Sequence, residues 1–184
     1  DDVKQTYFTG SNDNVAHIYP EQVFNDVGLN RFKTFNVADG QIANMHFQTA
    51  PNGTTLNHLV NTVVEKINIS GTVNAIRENK IGGNLIFISP TGMVLNSSGV
   101  INAGSLTVLA NNQTFATAEA AYGAVHDSQG DGWYIPNRES SIEIYGQINT
   151  ETGIDLRTET VTIKKAVGNG SPNPHLRTGV VFED

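Results

Sequence analysis

The chain has 184 residues and a formal net charge of −7, with 38% hydrophobic and only 16% charged residues. That length suits one domain with room for a sizeable core, and the acidic balance argues against a nucleic acid or an anionic membrane surface as partner. Cysteine is absent, which excludes a disulfide framework, a thiolate metal site and a cysteine nucleophile; no run approaches the ~20 apolar residues of a membrane span.

The rest of the composition is polar but neutral, chiefly Asn and Thr, with 18 Gly. Disordered chains of the charged kind are rich in Glu, Lys and Pro, so a folded domain is expected. The opening Asp1-Asp2-Val3-Lys4 has neither an initiator Met nor a charged-then-apolar leader. The expectation is a fragment of a longer protein, with any signal peptide absent from this chain.

Taken in chain order, the runs between Gly, Asn, Asp and Ser are short and β-branched: Val63-Val64, 66–69, 85–88, 93–95, 106–109, 142–145 and 161–163. Period-two alternation is clear at Ile67/Ile69/Gly71/Val73, at Ile142/Ile144 and at Val161/Ile163, the signature of strands with two unlike faces. Helical patterning is confined to 117–125, about two turns, and to 56–64, one or two more.

Repetition is the stronger signal. Gly71-Thr-Val-Asn-Ala75 resembles Gly99-Val-Ile-Asn-Ala103, and Gly146-Gln-Ile-Asn-Thr150 repeats the theme. One Gly-x-hydrophobic-Asn corner per unit suits a solenoid. Between Ile67 and Leu109 no Asn-Gly or Asp-Gly hairpin loop occurs. The corners there are Gly-Gly, Ser-Ser-Gly and Ala-Gly, where small residues admit positive φ. The reading is all-β: a right-handed parallel β-helix with a short N-terminal cap, about four or five coils of roughly 20–25 residues from Ile67 to Val167, and an excursion over 111–137. A β-sandwich is the alternative.

Chemistry is sparse. Five histidines, at 17, 46, 58, 126 and 175, show no ligand spacing on a helix and read as scattered surface residues. Asp127-Ser-Gln-Gly-Asp131-Gly132 resembles the opening of a calcium loop, but its twelfth position is Arg138 instead of Glu. A plain polar turn is the expectation, with Asp127 and Asp131 the weak metal candidates. Acidic residues are isolated, and the densest charge cluster, Glu65, Lys66, Arg77, Glu78 and Lys80, reads as a solvated face. No phosphate loop or nucleophile elbow occurs. No cofactor and no catalysis are expected.

Two stretches go further. Asn30-Arg-Phe32-Lys-Thr-Phe35-Asn36-Val37 is followed by Ala43-Asn-Met-His-Phe47. The second runs from Ile69-Ser-Gly-Thr-Val73 through Gly83-Asn-Leu-Ile-Phe-Ile-Ser89-Pro90-Thr91-Gly92 to Ile101-Asn-Ala-Gly-Ser-Leu-Thr-Val-Leu109. Together they resemble the amino-terminal secretion domain of two-partner secretion exoproteins, the filamentous haemagglutinin group, and most closely its leukotoxin-type filamentous adhesins. The resemblance spans roughly Tyr19 to Val167. Its Asn-x-Phe-x-x-Phe-Asn-Val element is matched closely. Its Asn-Pro-Asn-Gly corner is matched at Pro90 and Gly92, with Ser89 and Thr91 in place of the Asn residues. Its Asn-Pro-Asn-Leu motif is not recognisable; Pro51-Asn52-Gly53 falls near that place.

The resemblance implies a single secretion domain over 1–184, with a cap and first coils to about residue 60 and coils over 61–110 and 138–168. It implies a partner, the POTRA domains of an outer-membrane β-barrel transporter, and a location at the cell surface or outside after periplasmic transit. Host-cell contact would belong to the full exoprotein, with no membrane insertion by this domain. It also implies recognition or folding roles for Asn30, Phe32, Phe35, Asn36, Asn74, Ser89, Pro90, Thr91 and Gly92. The competing expectations are an adhesive β-helix module binding host glycan or matrix protein, with Trp133 and Tyr134 as the paired rings a glycan site would want, and a carbohydrate-active enzyme with converging carboxylates.

Overall fold

A computed structural model describes residues 14–127 and 135–164, and the backbone of 174–176 and 179–182. Strands β1 (Val15–Ile18), β2 (Gln22–Phe24) and β3 (Val27–Phe32) open the fold. Next come β4 (Asn36–Val37), β5 (Ile42–His46) and β6 (His58–Val63), then β7 (Ile67–Ile69), β8 (Thr72–Arg77), β9 (Lys80–Ile81) and β10 (Asn84–Ile88). They are followed by β11 (Gly92–Leu95), β12 (Val100–Leu109) and helix α1 (Ala118–His126). The remaining strands are β13 (Ser141–Ile144), β14 (Gln147–Arg157), β15 (Thr160–Ile163), β16 (Pro174–Leu176) and β17 (Gly179–Phe182). The fold is mostly β, and among the described residues no helix is long and apolar enough to cross a membrane.

Two sheets result. One runs β4-β7-β11-β13-β15-β17 with every neighbour parallel. The larger runs β1-β5-β8-β12-β10-β6-β3-β2, with β14 and then β16 continuing beyond β12. The chain crosses from one sheet to the other and back in repeated circuits, so equivalent residues stack in register. Val37, Ile69, Leu95, Ile144 and Ile163 form one column; Leu59, Leu85, Leu106 and Ile154 form another. All are buried in one continuous core.

The repeated pentapeptides stack on one another: Val73 opposes Ile101, which opposes Ile148, and Asn74, Asn102 and Asn149 follow in the same order. Their glycines serve close approach rather than positive φ. A Cβ at Gly71 would lie 2.3 Å from the carbonyl oxygens of Ala38 and Gln41, and one at Gly146 would lie 2.3 Å from that of Gly99. The expectation of left-handed backbone holds at Gly83 of the Gly-Gly corner, with φ +96, and not at these repeat positions.

Two further expectations are corrected. Residues 56–64 are not helical: their central part is β6, held between β3 and β10 by parallel pairing. Leu59 and Val63 face the main core while Val60 packs on the outside. A strand buried on both faces presents a nearly continuous apolar run, which periodicity does not separate from a helix. Second, a hairpin does lie inside the 67–109 stretch. Arg77 and Lys80 pair antiparallel around Glu78 and Asn79, at φ 54 and 62. Both central residues take the positive φ of a type I′ loop without the usual glycine. Arg77 turns back to donate to Leu56 O and Asn57 Oδ1, both at 2.9 Å, so the charge cluster is not simply a solvated face.

None of the described residues between Ala110 and Asn137 joins a sheet, and the Asn137 N–H donates to Ala110 O at 2.8 Å. Within that excursion α1 is capped by Thr117, whose side chain accepts from the Ala120 N–H at 3.2 Å. The helix and Phe115 cover a second apolar cluster on the outer face of the large sheet, built from Val27, Leu29, Val60, Ile86, Ile88 and Leu109.

Candidate functional site

The segment carrying the Asn-x-Phe-x-x-Phe-Asn-Val element forms the first circuit. Asn30 is fully buried. Its amide donates to Asn61 Oδ1 at 3.1 Å and its Oδ1 accepts from the Glu21 N–H at 3.1 Å; Asn61 donates onward to Ile86 O. A buried amide needs such partners to offset its desolvation. Phe32 and Phe35 meet edge to face at 5.1 Å, and Phe35 meets Phe87 of β10, two strands further along the stack, at 5.0 Å. Both rings line the core.

Asn36 differs. It is exposed on β4, the outermost strand of the six-stranded sheet, opposite Asn68. A shallow depression of about 370 Å³ is lined by Asn36, Val37, Ala38, Gln41, Asn68 and Ser70. Asn96 donates to Asn68 Oδ1 and Ser70 Oγ, both at 2.8 Å, so Asn36 stands at the end of a polar row climbing the sheet. Asn74 belongs to a second row: Asn74 donates to Asn44 at 3.1 Å, Asn102 to Asn74 at 2.9 Å, and Asn149 to Asn102 at 2.8 Å.

The corner at 89–92 is knitted into its surroundings. Ser89 Oγ donates to Glu65 O at 2.9 Å, Pro90 O accepts from Asn137 Nδ2 at 3.0 Å, and Thr91 O accepts from the Ser141 N–H at 3.2 Å. Gly92 has φ +103, and a Cβ there would sit 1.9 Å from Ser141 O. Only Thr91 of the four is exposed. The nine residues therefore divide: Asn36 on β4 and Thr91 just before β11 offer side chains to solvent, and the others hold the circuits together.

The four described histidines are not scattered but meet in two pairs. His17 and His46 lie 2.9 Å apart with Tyr19 stacked on His46; burial, and then the neighbouring His17, push the His46 pKa below its ordinary value. His58 and His126 meet edge to face at 5.1 Å beside Asp26. Burial lowers the His58 pKa, opposed by the Asp26 charge and reinforced by His126. Burial alone would raise that of Asp26, but hydrogen bonds from Asn57 and His126 and the two imidazole charges outweigh it and hold the carboxyl below its usual range. Sequence spacing could not reveal these groups, because their members sit on different circuits. Asp131, Trp133 and Tyr134, and the side chain of His175, lie outside the described residues, so the calcium-loop and glycan-site readings do too.

No family model, curated protein or solved structure matches this chain.

Proposed function

We propose that this chain is the secretion-targeting domain of a two-partner secretion exoprotein of the filamentous haemagglutinin type, and that its two sheets are those of a right-handed parallel β-helix. The observation that carries the reading is the placement of the matched element. Residues 30–37 join β3 to β4 in the first complete circuit of a parallel stack, and β2 pairs antiparallel along the outer edge of β3. A stack covered at one end and repeating toward the other can nucleate there and add circuits by nearest-neighbour contacts. Asn36 and Thr91 are the members of the element and corner free to meet a partner, and the edge of β4 offers backbone groups for β-augmentation by a POTRA sheet. In this reading the transporter engages residues 30–37 as an exposed strand while the rest of the chain is still unfolded in the periplasm, and the circuits complete outside the cell, where a folded circuit cannot slip back. Its role is targeting, not catalysis.

The test is release of this chain from cells with and without its cognate outer-membrane transporter. Transporter-dependent release, lost in Asn36→Asp and Thr91→Asp variants that refold normally in vitro, is the expected result. Release indifferent to the transporter would overturn the reading in favour of a surface-binding domain.

A further inference from the structure

We infer that Asp26, His58 and His126 form a solvent-open divalent transition-metal site, zinc by its donor chemistry, which ties the end of α1 to the first circuits. The three side chains come from the β2–β3 loop, the first residue of β6 and the last residue of α1. Their ligand atoms all lie within 4.8 Å of one another. His126 Nε2 is 3.0 Å from Asp26 Oδ1 and His58 Nε2 is 3.7 Å from Asp26 Oδ2. Zinc held by bonds of about 2.1 Å in a tetrahedron places its donors about 3.4 Å apart. The present separations, from 3.0 Å up to 4.8 Å, bracket that spacing, and rotation of three partly exposed side chains would bring the donors to it. Two imidazoles and one carboxylate suit zinc, and leave a fourth position for water.

The supporting groups are of the kind metal ligands need. Backbone N–H groups of Asn57 and His58 both donate to Asp26 O, at 2.9 and 3.1 Å, so two of the three ligands are held by main chain. Asn57 Nδ2 donates to Asp26 Oδ2 at 3.0 Å, and Arg77 holds Asn57 from its other side. Ligation through His58 Nε2 requires a proton on Nδ1 facing an acceptor. The Asn84 amide lies 3.0 Å from that Nδ1; turned by 180°, an orientation that hydrogen-bond chemistry decides, it presents its oxygen. Ser105, at 2.9 Å from Asn84 Oδ1, then accepts from the amide nitrogen. Tyr122 packs on the His126 ring with centroids 4.5 Å apart. A cation at the C-terminal end of α1 also meets the negative end of the helix dipole.

The experiment uses the whole 184-residue chain, stripped with EDTA and titrated with zinc by calorimetry, and with cobalt as a visible-absorption probe. The expected result is one ion per chain, a tetrahedral cobalt spectrum and a higher melting temperature with zinc. Binding should weaken at least tenfold in His126→Gln and in His58→Gln and stay unchanged in the His17→Gln/His46→Gln double variant. His126 is partly exposed and Gln keeps a donor there, so His126→Gln should still fold, and its melting temperature in EDTA, compared with the parent's in EDTA, separates lost packing from lost binding. Absence of stoichiometric binding, binding unchanged in His126→Gln, or binding lost with the His17/His46 pair would overturn the assignment.

Discussion

The described residues form two apolar cores, and these are built on different principles. Inside the circuits, Val37, Ile69, Leu95, Ile144 and Ile163 repeat one kind of contact from level to level. Outside the large sheet, Val27, Val60, Ile86, Ile88 and Leu109 form a single patch closed by Phe115, Ala118 and Ala121 from one excursion. The inner core is shared among many equivalent neighbours. The outer one depends on one element that nothing repeats, so it should open at lower free energy than the circuits beneath it.

The comparison can be broken most directly at Phe35, which joins two circuits through Phe32 and Phe87. Phe35→Ala should cost about 4 kcal/mol, read as a lower denaturation midpoint; a loss under 1 kcal/mol would show that stacking between circuits carries little. Gly92→Val forces a side chain against Ser141 O at positive φ and should cost on the order of 3 kcal/mol. Parental thermal stability in that variant would refute the corner as a fixed junction.

Replacing 112–136 with a short Gly-Ser linker probes the outer core alone, because Ala110 and Asn137 are already hydrogen-bonded neighbours. The β circular-dichroism signal should persist while dye binding to exposed apolar surface rises, with about 2 kcal/mol lost. Collapse of the strand signal would make the two cores one cooperative unit. Asn102→Ala interrupts the amide row between Asn74 and Asn149 and should cost about 1 kcal/mol.

The smallest expected effect is a pH dependence at His46, measured in EDTA. Its native pKa lies below the 6.5 of the unfolded chain. Between those two values the unfolded state binds more protons, so stability rises with pH and falls on acidification below about 6.5. His46→Gln should flatten that part of the melting-temperature curve, and an unchanged slope would place the titration elsewhere.

Much of the fold was legible because the inner core repeats. Alternation at Ile142/Ile144 and Val161/Ile163 reports strands with one buried face, and the three Gly-x-hydrophobic-Asn units mark the stacked corners. The outer core blurred the same signals. Leu85, Ile86, Phe87 and Ile88 form an unbroken apolar run because β10 is buried on both sides, and β6, covered in the same way, reads as a helix. Nothing in the sequence marks the Glu78-Asn79 loop, because its positive φ values come without glycine.

The candidate sites divide along the same line. Asn36 and Thr91 were visible as motif positions, but only the fold separates them from Asn30, Phe32, Phe35, Ser89 and Gly92 by exposing the first two and burying the rest. The sequence by itself determined a cysteine-free, strand-rich chain with a repeating glycine-asparagine corner, because local period and spacing are properties of neighbours along the chain. Only the tertiary structure decided that Asp26, His58 and His126 meet, and that the repeat glycines face carbonyls of the preceding circuit. Those contacts join residues brought together by stacking and by the return of the excursion, and no local pattern encodes that distance.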